Sequence, residues 1–186
     1  MRCFIGIPVE EWRGELSRLL EKIKRGTREV KWVKAENLHV TLKFLGEIEE
    51  EMVGKIKKTL AESLQDVTAF SLTAGALGAF PSLSSPRIIW LGIGEGKEKI
   101  EKIFKKIERG LTEFGISPEA RKYHPHITLG RVKRRADKGW WKGVLNTKLP
   151  RFPRMVVREV VLYQSCLHPE GPEYKPIGRY NLEELQ

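Results

Sequence analysis

The sequence is poor in cysteine and has no long apolar run, and each shortage excludes a class of protein. Cys3 and Cys166 are the only cysteines among 186 residues, which excludes a disulfide-rich secreted scaffold. No C-x-x-C pair is present, so we expect a reducing, cytoplasmic setting. No apolar stretch approaches the roughly 20 residues that span a bilayer, and MRCFIGIPVEEW does not resemble a signal peptide. We therefore expect neither a membrane anchor nor a membrane partner.

Aspartate is also scarce, while basic residues are abundant. Asp66 and Asp137 are the only aspartates, so 22 of the 24 acidic residues are glutamate, a bias typical of heat-adapted proteins. The 34 lysines and arginines leave a net charge of +10, which favours a polyanionic partner such as RNA. A charged thermophile-like surface explains the same composition, and the two interpretations are compatible.

Hydrophobic periodicity predicts short strands that alternate with amphipathic helices. This alternation, together with neighbouring strand pairs, indicates an α+β fold. The pattern predicts strands over 2–7, 30–33, 38–46, 69–78, 87–93, 124–132, 155–165 and 174–180, and helices over 9–25, 49–64 and 97–114.

Two segments of the chain occur twice at nearly one offset. His39-Val40-Thr41-Leu42 returns 87 positions later as His126-Ile127-Thr128-Leu129, and Phe4-Ile5-Gly6-Ile7 returns 86 positions later as Trp90-Leu91-Gly92-Ile93. Two coincidences at almost the same offset indicate an internal duplication. We therefore expect residues 1–186 to form a single domain of two pseudo-symmetric lobes, each an antiparallel sheet with outer helices, around a central groove.

The repeated His-x-Thr unit suits acid–base chemistry on a phosphate. Residues i and i+2 of a strand share a face, so each unit presents one imidazole and one hydroxyl, with the aliphatic residues turned into the core. One such histidine would be an ordinary strand residue, but core packing has no need of the same polar pair twice. Two imidazoles can act as general acid and general base, and the hydroxyls can hold phosphoryl oxygens without a metal. The pattern predicts phosphodiester cleavage or transesterification.

Two other kinds of site are suggested by short stretches of the sequence. His124-Pro125-His126 could bind zinc if His39, His168 or a carboxylate supplied a third ligand, but a zinc site would not explain the paired threonines. The stretch from Gly92 to Lys97 fits neither glycine-rich phosphate motif, and we interpret it as a strand-to-helix turn. We expect no metal and no cofactor.

With both motifs in view, the chain resembles the 2H phosphoesterase superfamily, which is named for its two His-x-Thr/Ser motifs. The stretches FIGIPV, LHVTLKFLGE, FPSLSSPRIIWLGI and YHPHITLGRV resemble its bacterial and archaeal RNA 2′,3′-cyclic phosphodiesterases, also called 2′-5′ RNA ligases. The resemblance implies hydrolysis of an RNA 2′,3′-cyclic phosphate end to a 2′-phosphate, and 2′-5′ ligation at the same site. It implies that His39 is the proton donor, that His126 is the proton acceptor, and that Thr41 and Thr128 bind the phosphate.

Further substrate contacts are predicted around these motifs. Lys43 continues the face of His39 and could bind phosphate, while Arg131 could do so only if a bulge or the strand end turns it to that face. Tyr123 is a candidate for stacking on a base, and Phe44 fits the core better. The basic segment 131–143 carries Trp140 and Trp141, and it is either an RNA-gripping loop or a solvated loop that the tryptophans anchor.

Two other functions remain open on the sequence alone. A catalytically idle RNA- or nucleotide-binding module could use the same scaffold, and so could a phosphodiesterase of small cyclic nucleotides. The intact pair of His-x-Thr units favours an enzyme, and the basic composition favours RNA. We expect a monomer.

Overall fold

A computed structural model describes residues 1–25, 27–133 and 138–184, and it confirms the α+β fold. The strands are β1 (Arg2–Pro8), β2 (Val30–Trp32), β3 (His39–Glu47), β4 (Phe70–Leu72), β5 (Ala74–Pro81), β6 (Pro86–Ile93), β7 (His126–Val132), β8 (Met155–Val157), β9 (Glu159–His168) and β10 (Gly171–Asn181). The helices are α1 (Arg13–Ile23), α2 (Glu50–Leu64), α3 (Lys97–Thr112) and α4 (Lys138–Leu145). None of the helices within these ranges is long and apolar enough to cross a membrane.

One large antiparallel sheet carries both halves of the chain. Its strands run in the order β10-β9-β1-β3-β7-β6-β5, and β2 pairs with β7, while β4 and β8 form a separate two-stranded ladder. Helix α3 shows why the helices cover the sheet: Ile100, Ile103, Ile107 and Leu111 recur at helical spacing and are all buried. The other helical faces follow the same rule, and α2 and α3 also pack against each other.

The two halves meet at the centre of this sheet. Val40 on β3 pairs with Ile127 on β7, and these residues lie 87 positions apart, the offset of the repeated motif. When a residue pairs antiparallel with its own repeat equivalent, a local twofold axis passes between the two strands. We propose on this basis that one domain is built from two repeated lobes, as the sequence predicts.

A β-bulge interrupts the same position of both halves. In β3, Ile5 pairs with Lys43 but Gly6 pairs with Thr41, so Leu42 is an extra residue. In β7, Ile89 pairs with Gly130 but Trp90 pairs with Thr128, so Leu129 is extra. Each bulge places two consecutive positions in the core and reverses the faces of the residues that follow.

Two predicted segments have a different structure. The predicted strand over 69–78 is divided into β4 and β5, because Thr73 bonds to the turn before α3 instead of continuing the ladder. The predicted loop over 131–143 is wrong from Lys138 onward, where α4 begins, while 134–137 lie outside the described residues. Trp141 is buried and its indole Nε1 donates to the Leu83 carbonyl at 2.5 Å, so it anchors α4 and is not free to grip RNA.

Candidate active site

The four residues of the repeated motif lie on the two central strands. His39 and Thr41 belong to β3, His126 and Thr128 belong to β7, and these strands are neighbours in the sheet. The aliphatic residues between and after them are fully buried, with Val40 and Ile127 both 0% exposed. The predicted division of each motif into a polar face and a core face is therefore confirmed.

His39 is held by one hydrogen bond at each ring nitrogen. Nδ1 lies 2.7 Å from the carbonyl oxygen of Asn37, and Nε2 lies 2.9 Å from Oγ1 of Thr41. Because a carbonyl can only accept, Nδ1 carries the proton in the neutral ring, and Nε2 accepts from the threonine hydroxyl. Nε2 is thus the nitrogen that can exchange a proton with a substrate.

Burial is the main reason that the His39 imidazole is neutral near pH 7. The pKa of His39 is lowered to about 4: burial is the largest cause, the Asn37 carbonyl opposes the shift, and a positive charge on His126 adds to it. A bound anion would act in the opposite direction and raise the pKa of His39.

His126 has the same Nδ1 contact at the equivalent position. Its Nδ1 lies 2.6 Å from the carbonyl of His124, two residues earlier, as the carbonyl of Asn37 lies two residues before His39. Burial lowers the pKa of His126, the His124 carbonyl raises it, and positive charges on His124 and Arg131 lower it again. The duplication thus repeats the residue that fixes the tautomer as well as the histidine itself.

Aromatic side chains surround both imidazoles, and sequence reasoning missed this role for them. Phe4 stacks on His39 with ring centroids 4.6 Å apart, and Tyr174 meets the same ring edge-on at 5.4 Å. Around His126, Phe80 lies edge-on at 5.0 Å and Trp90 lies at 6.1 Å. Phe4 and Trp90 are repeat equivalents, so the 86-residue repeat was the signal that could have placed both of them at the site.

A glycine in β1 is required by the approach of His39. A Cβ on Gly6 would lie 3.1 Å from Cδ2 of His39 and 3.1 Å from the carbonyl oxygen of Val40. A side chain there would push the imidazole away from Thr41. This close contact explains the glycine in the first copy of the repeated Phe/Trp-x-Gly-Ile segment.

A groove of about 560 Å³ opens beside the motif residues. His39, Thr41, Thr128 and Arg131 line it, together with residues of β1, β2, β9 and β10. Arg131 was expected to reach the site only if a bulge turned it to the face of His126. The bulge at Leu129 does this, and Arg131 lines the groove. The groove also holds Phe44, which is 60% exposed, so the prediction that Phe44 belongs to the core is wrong.

The bulge that exposes Phe44 also removes Lys43 from the predicted site. Lys43 is only 6% exposed; its ammonium group pairs with Glu108 on α3 and donates to the Ser117 carbonyl at 3.0 Å. The prediction that Lys43 binds substrate phosphate is wrong, because strict alternation does not hold beyond Leu42. Lys43 instead joins the sheet to α3.

Tyr123 is likewise unavailable to stack on a base. Its ring stacks on Phe104 at a centroid distance of 4.1 Å, and its hydroxyl donates to the Thr41 carbonyl at 2.8 Å. Burial raises the pKa of Tyr123, so the hydroxyl keeps its proton and acts as a donor. The base-stacking prediction is wrong, and Tyr123 supports the strand beneath Thr41.

The residues of the zinc alternative have other neighbours. The rings of His124 and His126 have centroids 6.3 Å apart, and His124 lies 4.9 Å from Trp90. His168 lies at the end of β9, and its Nε2 is 3.0 Å from a carboxylate oxygen of Glu173 on β10. In the described part of the chain, no three His, Cys, Asp or Glu side chains are grouped as metal ligands would be.

Comparison with known sequences agrees with this geometry. The model of the family described as LigT like Phosphoesterase matches twice, over residues 5–90 and 91–174. The RNA 2′,3′-cyclic phosphodiesterase of Thermotoga maritima is 37% identical over 184 residues, which cover 98% of this chain and 96% of that protein. The chain belongs to the LigT-like phosphoesterase family. The two successive matches begin 86 positions apart, close to the offset of the repeated segments.

Solved LigT-like structures share the whole fold. The protein TT0787 of Thermus thermophilus has a TM-score of 0.82 at 26% identity, and the comparison covers 100% of both chains. LigT of E. coli complexed with 3′-AMP has a TM-score of 0.77 at 26% identity over 98% of both chains. The agreement extends over both halves of this LigT-like phosphoesterase.

Proposed function

We propose that this LigT-like phosphoesterase hydrolyses 2′,3′-cyclic phosphate ends of RNA to 2′-phosphates by two-histidine acid–base catalysis. The observation that carries the proposal is the pairing of Val40 with Ile127, which sets the two His-x-Thr units on adjacent strands, with His39, Thr41 and Thr128 lining one groove. The relatives named RNA 2′,3′-cyclic phosphodiesterase support the choice of substrate.

The reaction breaks one P–O bond and forms another. A water molecule attacks phosphorus as His126 takes its proton, the bond to O3′ breaks, and His39 gives a proton to O3′. The products are a 2′-phosphomonoester and a free 3′-hydroxyl, and each histidine ends in the protonation state that the other role requires. Once Nε2 of His39 is protonated it no longer accepts from Thr41, so the hydroxyls of Thr41 and Thr128 would donate to the non-bridging oxygens, where negative charge develops.

The position of the groove supports the assignment of acid and base. In an in-line displacement, the leaving O3′ lies opposite the attacking water, so the ribose and the rest of the RNA lie on the side of the acid. The groove extends from His39 over β1, β2, β9 and β10, and it has room for the RNA on that side. This supports the proposal that His39 is the proton donor and His126 is the proton acceptor.

The low pKa of His39 has to change before it can act as the acid. With a pKa of about 4, only about one ring in a thousand carries a proton at pH 7. The negative charge of a bound cyclic phosphate favours the protonated ring, as any opposite charge within hydrogen-bonding distance does. Binding of the substrate would therefore raise the pKa of the imidazole that later protonates its O3′.

Ligation follows from the same geometry with a different nucleophile. If the 5′-hydroxyl of a second RNA takes the place of water, the bond to O3′ again breaks and a 2′-5′ linkage forms. Because the leaving O3′ stays on the same ribose, the ligation is readily reversible. The proposed partner is RNA, as the names of the relatives suggest, and the monomeric state and cytoplasmic setting stay predictions from the sequence.

The test is turnover of an oligonucleotide with a 2′,3′-cyclic phosphate end in the presence of EDTA. The expected product is the 2′-phosphate, identified by chromatography against 2′- and 3′-phosphate standards. Replacing His39 or His126 with alanine should lower kcat at least about 100-fold, the usual contribution of a positioned acid or base. His168→Ala is the matched control, because that histidine lies at the exposed end of β9. No turnover, or turnover restored only by zinc, would contradict the proposal.

A further inference from the structure

The groove is larger than one cyclic phosphate and its ribose require. Its volume of about 560 Å³ is within the 300–1,000 Å³ range of sites that enclose whole organic ligands. Beyond the motif residues, its lining includes Lys31 and Trp32 of β2, Phe44 of β3, and Leu167 and Tyr174 of the β9–β10 hairpin. These residues form a second compartment, which we call the outer groove.

Two cations lie side by side on neighbouring strands in the lining of the groove. Lys31 on β2 pairs directly with Arg131 on β7, and both side chains line the groove. Like charges at paired positions of a ladder repel each other and destabilise the pair. The ion pairs found among the described residues use other cations, so no carboxylate within these ranges forms a salt bridge with Lys31 or Arg131, not even Glu170 in the lining of the same groove. Two unpaired cations on neighbouring strands have the charge to bind one anion together.

An exposed aromatic ring lies in the same compartment. Phe44 is 60% exposed, although a phenylalanine in a central strand is ordinarily buried. The bulge at Leu42 turns it outward, and its ring centroid is 6.0 Å from that of Phe4, which in turn stacks on His39. Aromatic rings thus extend from the catalytic imidazole to the open surface, as in sites where RNA bases stack on side chains.

The repeat shows that Phe44 and Arg131 occupy equivalent positions. They lie 87 residues apart, each follows the bulged leucine of its motif, and each faces the groove. Because one of the two equivalent positions has an aromatic ring and the other has a cation, the two ends of the groove bind different chemical groups. A nucleotide, which also has an apolar base and an anionic phosphate, can be matched in only one orientation.

These observations lead to a more specific substrate, and the step rests on the proposed function. We propose that Lys31 and Arg131 bind the phosphodiester that joins the last two nucleotides, while Phe44 stacks on the penultimate base. The outer groove therefore selects single-stranded RNA ends of two or more nucleotides over a lone 2′,3′-cyclic nucleotide.

The experiment compares kcat/KM for a 2′,3′-cyclic mononucleotide with that for a dinucleotide that ends in the same cyclic nucleotide. We expect the dinucleotide to be preferred by at least about fivefold, the lower end of what one stacked base contributes. Lys31→Ala and Phe44→Ala should each bring the ratio of the two kcat/KM values toward one. Phe44→Trp keeps an aromatic face and should keep the ratio.

Lys57→Ala is the matched control for charge. Lys57 is an exposed lysine on α2, so its removal lowers the net charge by the same amount and should leave the ratio at its wild-type value. Equal kcat/KM for the two substrates, or an equal loss on both in the Lys31 and Phe44 variants, would overturn the inference. Failure to hydrolyse either substrate would instead overturn the proposed function, so the two failures are distinct.

Discussion

The protein should lose free energy of unfolding between pH 7 and pH 4, and replacing His39 with glutamine should make that loss smaller by about 3 kcal/mol. Burial holds the pKa of His39 at about 4, while the same histidine in the unfolded chain titrates near 6.5. Because the folded-state pKa is the lower one, the native state binds this proton more weakly than the unfolded state does. His39 therefore has no effect on the pH dependence of the free energy of unfolding above about pH 6.5, and it lowers this free energy progressively as the pH falls from there toward 4. The loss is about 1.4 kcal/mol per pH unit.

The assay is guanidinium unfolding of the wild type and His39→Gln at pH 7 and at pH 4. The carboxylates titrate in both proteins, so their contribution cancels when the two pH-dependent differences are subtracted. The wild type should lose about 3 kcal/mol more than the variant between these pH values. His168→Gln is the control, since that side chain is 52% exposed, and it should follow the wild type. If His39→Gln and the wild type lose the same free energy of unfolding, His39 is not the buried neutral imidazole described above.

Three further predictions concern the rate, the buried ion pair and the glycines. Because burial keeps the pKa of both catalytic histidines below 6.5, kcat/KM should fall about tenfold per pH unit above that value, and a flat profile from pH 6.5 to 8.5 would contradict this. Lys43→Met should lower the free energy of unfolding by about 3–5 kcal/mol, because it leaves the Glu108 carboxylate without its partner; adding Glu108→Leu should recover part of the loss. In thermal unfolding, Gly54→Ala should stabilise α2, by about 0.5–1 kcal/mol, because no atom lies near its Cβ. Gly78→Ala should destabilise, because its Cβ would overlap the Trp90 ring.

The motif residues and most elements could be predicted because their signals are local. The period of α3 is visible in Ile100, Ile103 and Ile107, and that helix has nearly the predicted bounds. The His-x-Thr units needed only the alternation of a strand over four residues, and within that span the rule holds. The nearly equal offsets of the two repeated segments, 87 and 86 positions, further indicated that the two units occupy equivalent places in a duplicated fold.

The errors at Lys43 and Phe44 have a single physical cause. Alternation fails at Leu42, where the bulge places two successive side chains on the core side, and nothing in the segment LKFLG marks that position. The reason lies far away in the sequence, because Glu108 and the Ser117 carbonyl supply partners for a buried ammonium. Tyr123 was misplaced for a similar reason, since its partners Phe104 and Thr41 are distant in the chain.

The repeat explains both what is alike in the two halves and what differs. Each half supplies a histidine whose Nδ1 donates to the carbonyl two residues earlier, so the local dyad gives two chemically similar imidazoles. Two equal imidazoles on a symmetric surface could not tell the leaving oxygen from the attacking one. The difference must come from positions where the halves have diverged, and Phe44 opposite Arg131 is such a position. The residues that determine the direction of the reaction are therefore expected just outside the repeated motifs, where the two copies no longer match.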